Sequence, residues 1–217
     1  MTINFPSSEY EARYEALRQL MAENDLEAVI VTNHQNINYF SGITSILAGI
    51  PGGYGNVRPL ITVLPKDSDP VVIVQFTDYG NAKTNSWIED VRCWIDLPFN
   101  TNLLEEVLKE KGLGNSRIGM EFSREFHLFI PYNDFQTLKN NLPNADFTDA
   151  ADHIWTLRMI KSDKEIGYLR KAAEITAKCL IRNLAKAEEG MTERDVARTI
   201  AIDLLNEGAD KFNYVSA

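Results

Sequence analysis

Residues 28–32, Ala28-Val29-Ile30-Val31-Thr32, restrict the fold more than any other stretch of the chain. A β-branched run without polar alternation reads as a strand buried on both faces, and such a strand needs a covering layer on each side. The preceding residues supply one cover. Ser8 and Glu11 stand at capping-box spacing, and Tyr10, Tyr14, Leu17 and Met21 recur at steps of three and four, which predicts a helix over about 9–23.

Further strands are expected at Leu60-Ile61-Thr62-Val63-Leu64, Val71-Val72-Ile73-Val74, Val91-Arg92-Cys93-Trp94 and Arg117-Ile118-Gly119-Met120, with helical patterns over 102–111 and 124–138 between the later ones. Strands alternating with helices define the α/β class. The turn residues of Pro65-Lys66-Asp67-Ser68-Asp69-Pro70 join two of the strands as an antiparallel hairpin, so the sheet is mixed. The expectation is five or six strands with helices on both sides.

The pattern stops near Phe147-Thr148-Asp149, and a connector over 154–161 leads to two long helical segments without a strand between them. This places a domain boundary near residue 155, dividing the chain into 1–155 and 156–217. Ser162 with Glu165 forms a second capping box, followed by Ile166, Leu169, Ala173, Thr176, Leu180, Leu184 and Ala187 along one side. Thr192 and Asp195 open the next helix, which Gly208 closes. Phe212-Asn213-Tyr214-Val215-Ser216-Ala217 reads as the start of a strand. Two amphipathic helices and part of a strand bury too little apolar surface by themselves, so more chain is expected after Ala217.

Composition narrows the partners. With 217 residues, a net charge of −9 and a pI near 4.9, the chain lacks the clustered basic surface that nucleic acid or an anionic membrane attracts. No run approaches the roughly 20 apolar residues of a membrane span, and Met1 to Pro6 resemble no secretory leader. Cys93 and Cys179 lie in different elements and read as free thiols, which fits a reducing cytoplasm.

Residues with catalytic potential are scattered. His34, His127 and His153 make no metal-binding spacing, and no nucleophile elbow is present. Glu105-Glu106 and Glu188-Glu189 read as solvated helix faces. The stretch Gly49-Ile50-Pro51-Gly52-Gly53-Tyr54-Gly55-Asn56 lacks the lysine of a phosphate loop and the spacing of a dinucleotide fingerprint. At its exit, Tyr54 and Arg58 place an aromatic beside a guanidinium, a pair suited to holding a substrate carboxylate. These two are the candidate site residues.

Several stretches together resemble the creatinase/prolidase family, known for its pita-bread fold. They are Tyr10-Glu11-Ala12-Arg13, Asn36-Ile37-Asn38-Tyr39-Phe40-Ser41-Gly42, Arg117-Ile118-Gly119-Met120-Glu121 and Leu157-Arg158-Met159-Ile160-Lys161-Ser162-Asp163-Lys164-Glu165-Ile166. The resemblance covers essentially the whole chain. It implies a small mixed-sheet amino-terminal domain followed by the first helices of a pita-bread catalytic domain. It also implies that a complete peptidase member would hold two divalent metal ions (Mn, Co or Zn) on Asp, His and Glu residues beyond Tyr214, form a homodimer and cleave Xaa-Pro bonds. Creatinase-like or ectoine-hydrolase-like members would act instead on small guanidino or amide substrates. Arg58-Pro59 is similar to an Arg-Pro pair that creatinase extends into a neighbouring subunit's active site, although Asn56 and Val57 separate it here from Tyr54-Gly55. A purely interacting or dimerising module is the alternative from another class. No catalytic residue and no metal ligand is assigned within the chain itself.

Overall fold

A computed structural model describes residues 5–44, 59–95, 99, 101–123 and 126–210. The described chain falls into two compact units, divided after Met159.

The first unit contains α1 (Ser7–Glu23), β1 (Ala28–Val31), α2 (His34–Ser41), β2 (Ile61–Pro65), β3 (Val71–Gln75), α3 (Phe76–Asn85), β4 (Asp90–Trp94), α4 (Asn102–Glu110), β5 (Arg117–Met120), α5 (Tyr132–Asn141), β6 (Asp146–Asp149) and α6 (Ala151–Met159). The strands form one sheet in the order β4-β3-β2-β1-β5-β6. β2 runs antiparallel to both its neighbours, and the other pairings are parallel. This is the mixed sheet of the sequence expectation, and β2–β3 is its antiparallel hairpin.

β1 lies inside the sheet and all four of its residues are buried. Its side chains alternate between two cores, as the two-residue period of a strand requires. Val29 and Val31 face a core that contains Leu17 and Met21 of α1, Ile37 and Phe40 of α2, Ala82 of α3 and Ile154 of α6. Ala28 and Ile30 face the opposite core, built with Leu104, Val107 and Leu108 of α4 and Phe135 and Leu138 of α5. The uninterrupted apolar run is therefore the direct consequence of two covered faces.

Several local expectations are corrected. Ser8 and Glu11 do not form a capping box, because α1 already starts at Ser7 behind Pro6, whose side chain offers no cap hydrogen bond. The helix expected over 124–138 starts only at Tyr132: Pro131 holds the N-cap and biases the residue before it away from helical geometry. His34 is the first residue of α2, whose N-cap Asn33 accepts from Gln35 N through its side chain. The stretch expected as a connector is largely helix α6.

In the second unit, α7 (Asp163–Ala185) and α8 (Glu193–Asn206) both begin with complete capping boxes, from Ser162 with Glu165 and from Thr192 with Asp195. Gly208 takes φ +96° just beyond α8. Asn183 Nδ2 donates to Asp203 Oδ2 at 2.8 Å, and Arg182 pairs with Glu207 at 2.7 Å, joining the two helices. Ile181, Leu184 and Ile202 remain exposed. Cys93 and Cys179 are both free. No helix among the described residues is long and apolar enough to cross a membrane.

Candidate functional site at the carboxyl ends of the strands

The strand-end rim is where an open α/β sheet concentrates ligand sites, above all where successive connections leave for opposite faces. That condition is met between the parallel neighbours β1 and β5. The chain leaves β1 for α2, which packs on one face, and later leaves β5 for α5, which packs on the other.

Glu121 occupies this position, one residue beyond β5, and is fully buried. Its Oε2 accepts from Thr32 N at 2.5 Å, Asn33 N at 2.7 Å and Thr32 Oγ1 at 3.1 Å. Its Oε1 accepts from the Asn36 side-chain amide. Asn33 is the N-cap of α2, so the carboxylate sits at a helix amino terminus, where backbone N–H groups and the helix dipole favour an anion. The position an external anion could take is filled by the protein's own side chain. Burial pushes the Glu121 carboxyl above its ordinary range, and the Asn36 amide, the two backbone N–H groups and the Thr32 hydroxyl oppose that rise.

The network continues outward. Arg158 Nη1, in the last turn of α6, donates to Asn36 Oδ1 at 2.6 Å. Elsewhere on α2, Arg13 of α1 donates to Tyr39 O at 2.9 Å, its guanidinium 4.3 Å from the ring centroids of both Phe5 and Tyr39. After α2, Gly42 takes φ +82°, and a side chain there would meet the Tyr10 hydroxyl at 3.0 Å.

The sequence stretches that carry the family resemblance thus interlock. Arg13 meets Tyr39, while Asn36, Glu121 and Arg158 come one from each of the other three. No spacing rule links residues so distant in sequence, so this cluster was not legible as a site; the only signal was one buried-type polar residue in each stretch. Chemically, both Glu121 oxygens are already engaged by donors, so the cluster is suited to holding elements together and not to proton transfer.

Tyr54 and Arg58, the candidate substrate residues, lie outside the described residues. Their surroundings in the chain are defined at both ends. Asn38 Nδ2 donates to Thr44 Oγ1 at 3.0 Å and Asn81 Nδ2 to Thr44 O at 2.8 Å, while Pro59 and Leu60 are buried immediately ahead of β2. Because β2 is antiparallel, its first residues share the rim with the last residues of β1 and β3: Thr62 pairs with Val31 and Ile61 with Ile73. His34 and His127 both stand near Phe129, at centroid distances of 5.3 and 6.1 Å. Among the described residues no group of three or more His, Cys, Asp or Glu side chains is arranged to hold a metal ion. Two catalytic metals therefore find no fitting ligand set there, and no chemical step is assigned to them. A surface depression beside Gly112, Gly114, Asn141 and Asn144 has no histidine, cysteine or carboxylate in its lining.

The sheet topology and its covering helices define a mixed six-stranded α/β domain. Residues 13–160 match the model of the Creatinase/Prolidase N-terminal domain, and the chain belongs to that family. It is 26% identical to the Xaa-Pro dipeptidase of Pyrococcus horikoshii over 89% of this chain and 47% of the relative. It is likewise 26% identical to the creatinase of Bacillus sp. (strain B-0618), over 89% of this chain and 44% of that protein. The crystal structure of the prolidase from Pyrococcus horikoshii OT3 superposes with a TM-score of 0.69 at 26% identity, covering 92% of this chain and 50% of that one. A prolidase from Thermococcus sibiricus, at 22% identity and a TM-score of 0.75, shares the fold, covering 93% of this chain and 51% of its own. The chain spans about half the length of the curated relatives it matches.

Proposed function

We propose that this chain is the amino-terminal portion of a metal-dependent Xaa-Pro dipeptidase- or aminopeptidase-like hydrolase and is inactive alone. The observation that carries the reading is coverage: about nine-tenths of the chain aligns with about half of an Xaa-Pro dipeptidase. On this reading residues 1–155 form the amino-terminal domain and 156–217 begin the catalytic one. The two divalent ions (Mn, Co or Zn) belong to the further sequence of a longer, cytoplasmic, homodimeric protein. The exposed Ile181, Leu184 and Ile202 would be covered by that sequence. Arg58 and Tyr54 would contact a substrate carboxylate across the dimer.

The test compares the 217-residue chain with a version extended to the length of the relatives, assayed with Xaa-Pro dipeptides and added manganese or cobalt. Activity confined to the extended protein supports the proposal, and cleavage by the short chain overturns it. Within the active protein, Arg58→Ala should raise KM; unchanged KM and kcat would remove Arg58 from the site. A creatinase- or ectoine-hydrolase-like reaction is the second reading, favoured by the matches to creatinase and, at 22% identity, to the ectoine hydrolase of Halomonas elongata. Turnover of creatine or ectoine without Xaa-Pro cleavage would select it. Dimerisation without any hydrolysis by the extended protein would select an interaction module.

A further inference from the structure

Glu121, Asn36 and Arg158 come from three different elements, and their order gives the network a direction. Arg158 donates to the oxygen of the Asn36 amide, and the nitrogen of the same amide donates to Glu121. An amide has one acceptor end and one donating end, and this one uses both. Turning it over would set its NH2 against the guanidinium and its oxygen against the carboxylate. A cation on α6 is therefore tied through a neutral, orientation-locked group to a buried anion at the strand ends.

What this tie holds is the end of α6. The start of that helix is secured otherwise: Asp149 Oδ1 accepts from Ala151 N at 3.1 Å, and Ile154 is wholly buried in the core. Trp155 stacks on Phe126 with centroids 5.4 Å apart. The last turn is held less firmly by packing, since Leu157 is only partly buried and Met159 is 65% exposed. Arg158 reaches from that turn across to α2.

We propose that Arg158, Asn36 and Glu121 form a latch that fixes the carboxyl end of α6 on the strand-end rim. The three are positioning residues. The latch stands on contacts within the first unit and does not depend on the hydrolase reading.

Hydrogen exchange of the 217-residue chain, resolved by residue, tests it. In Arg158→Met, which keeps the aliphatic stem and removes the donors, amides in the last turn of α6 should exchange about tenfold faster while those of β1 and β5 keep their protection. Arg158→Lys retains one charged donor and should fall between wild type and Arg158→Met. Unchanged α6 exchange in both variants overturns the latch. So does an equal loss of protection in β1 and β5, which would mark Arg158 as a general stabiliser. If Arg158→Met fails to fold, Arg158→Lys alone decides by the same comparison of α6 with the sheet.

Discussion

Gly119 and Ala150 stand so close that a Cβ added to the glycine would lie 2.6 Å from the Cβ of Ala150. The same added atom would meet Leu26 Cδ1 at 3.2 Å and Val29 Cγ2 at 3.3 Å. Ala150 N donates to Met120 O at 2.8 Å, so its Cβ cannot withdraw without disturbing the sheet. Gly119→Ala should therefore cost about 1–3 kcal/mol in urea denaturation. Ala150→Gly in the same chain should return part of that loss, which separates the close contact from any general effect on β5.

Replacing Glu121 by glutamine probes the rim network. A glutamine oxygen can still accept from Thr32 N and Asn33 N, but its NH2 then faces the donating end of Asn36. Rotating Asn36 moves the conflict to Arg158 instead of removing it. Glu121→Gln should lose about 1.5–3 kcal/mol, the scale of a hydrogen bond to a charged group, measured by chemical denaturation.

Tyr14 gives an alkaline signature. Its hydroxyl donates to Pro65 O and Ser68 O, and burial raises its pKa from 10.0 to about 12. A folded-state value above the unfolded one favours the neutral phenol. The associated stability is full below 10.0 and is lost as pH rises through about 12. Tyr14→Phe should lower stability at neutral pH by about 0.5–1.5 kcal/mol and flatten that alkaline decline. Denaturation curves collected from neutral to alkaline pH read both effects.

Asp149 gives the acid counterpart. Burial would raise its pKa, but the Ser123 hydroxyl, the N–H groups of Ala151 and Phe122 and the nearby His153 outweigh it, and the net shift is downward from 3.8. A depressed folded value means stability that is present above 3.8 and disappears as pH falls through the folded pKa. Asp149→Asn should shrink the difference in denaturation midpoint between neutral and strongly acidic solution. An unchanged acid profile would remove Asp149 as a contributor.

The parts of the fold that showed in the sequence were those governed by local periodicity. The buried run of β1, the hairpin before Val71 and the two capping boxes at Ser162 and Thr192 all depend on neighbours within a few residues. α2 and α3 were missed because their helices are started by side chains that read as loop polar residues, Asn33 and Gln75, each accepting a backbone N–H two residues on. The rim cluster depends on pairing between β1 and β5, which brings Thr32 to Glu121 from distant parts of the chain. Periodicity carries no information about that pairing, so nothing in the local sequence marks Glu121 as a buried acid. Arg58 and Tyr54 rest on chemical type and on the likeness of Arg58-Pro59 to the Arg-Pro pair of creatinase, and neither lies among the described residues.

The strand order has a consequence for synthesis on the ribosome. β1 to β4 pair in an unbroken series as the chain emerges, whereas the remaining neighbour of β1 is β5, which is made only after α4. Until then β1 is an apolar edge of the nascent sheet, open to pairing with another copy or a chaperone. Slower translation between β4 and β5 should therefore lengthen the interval of greatest aggregation risk.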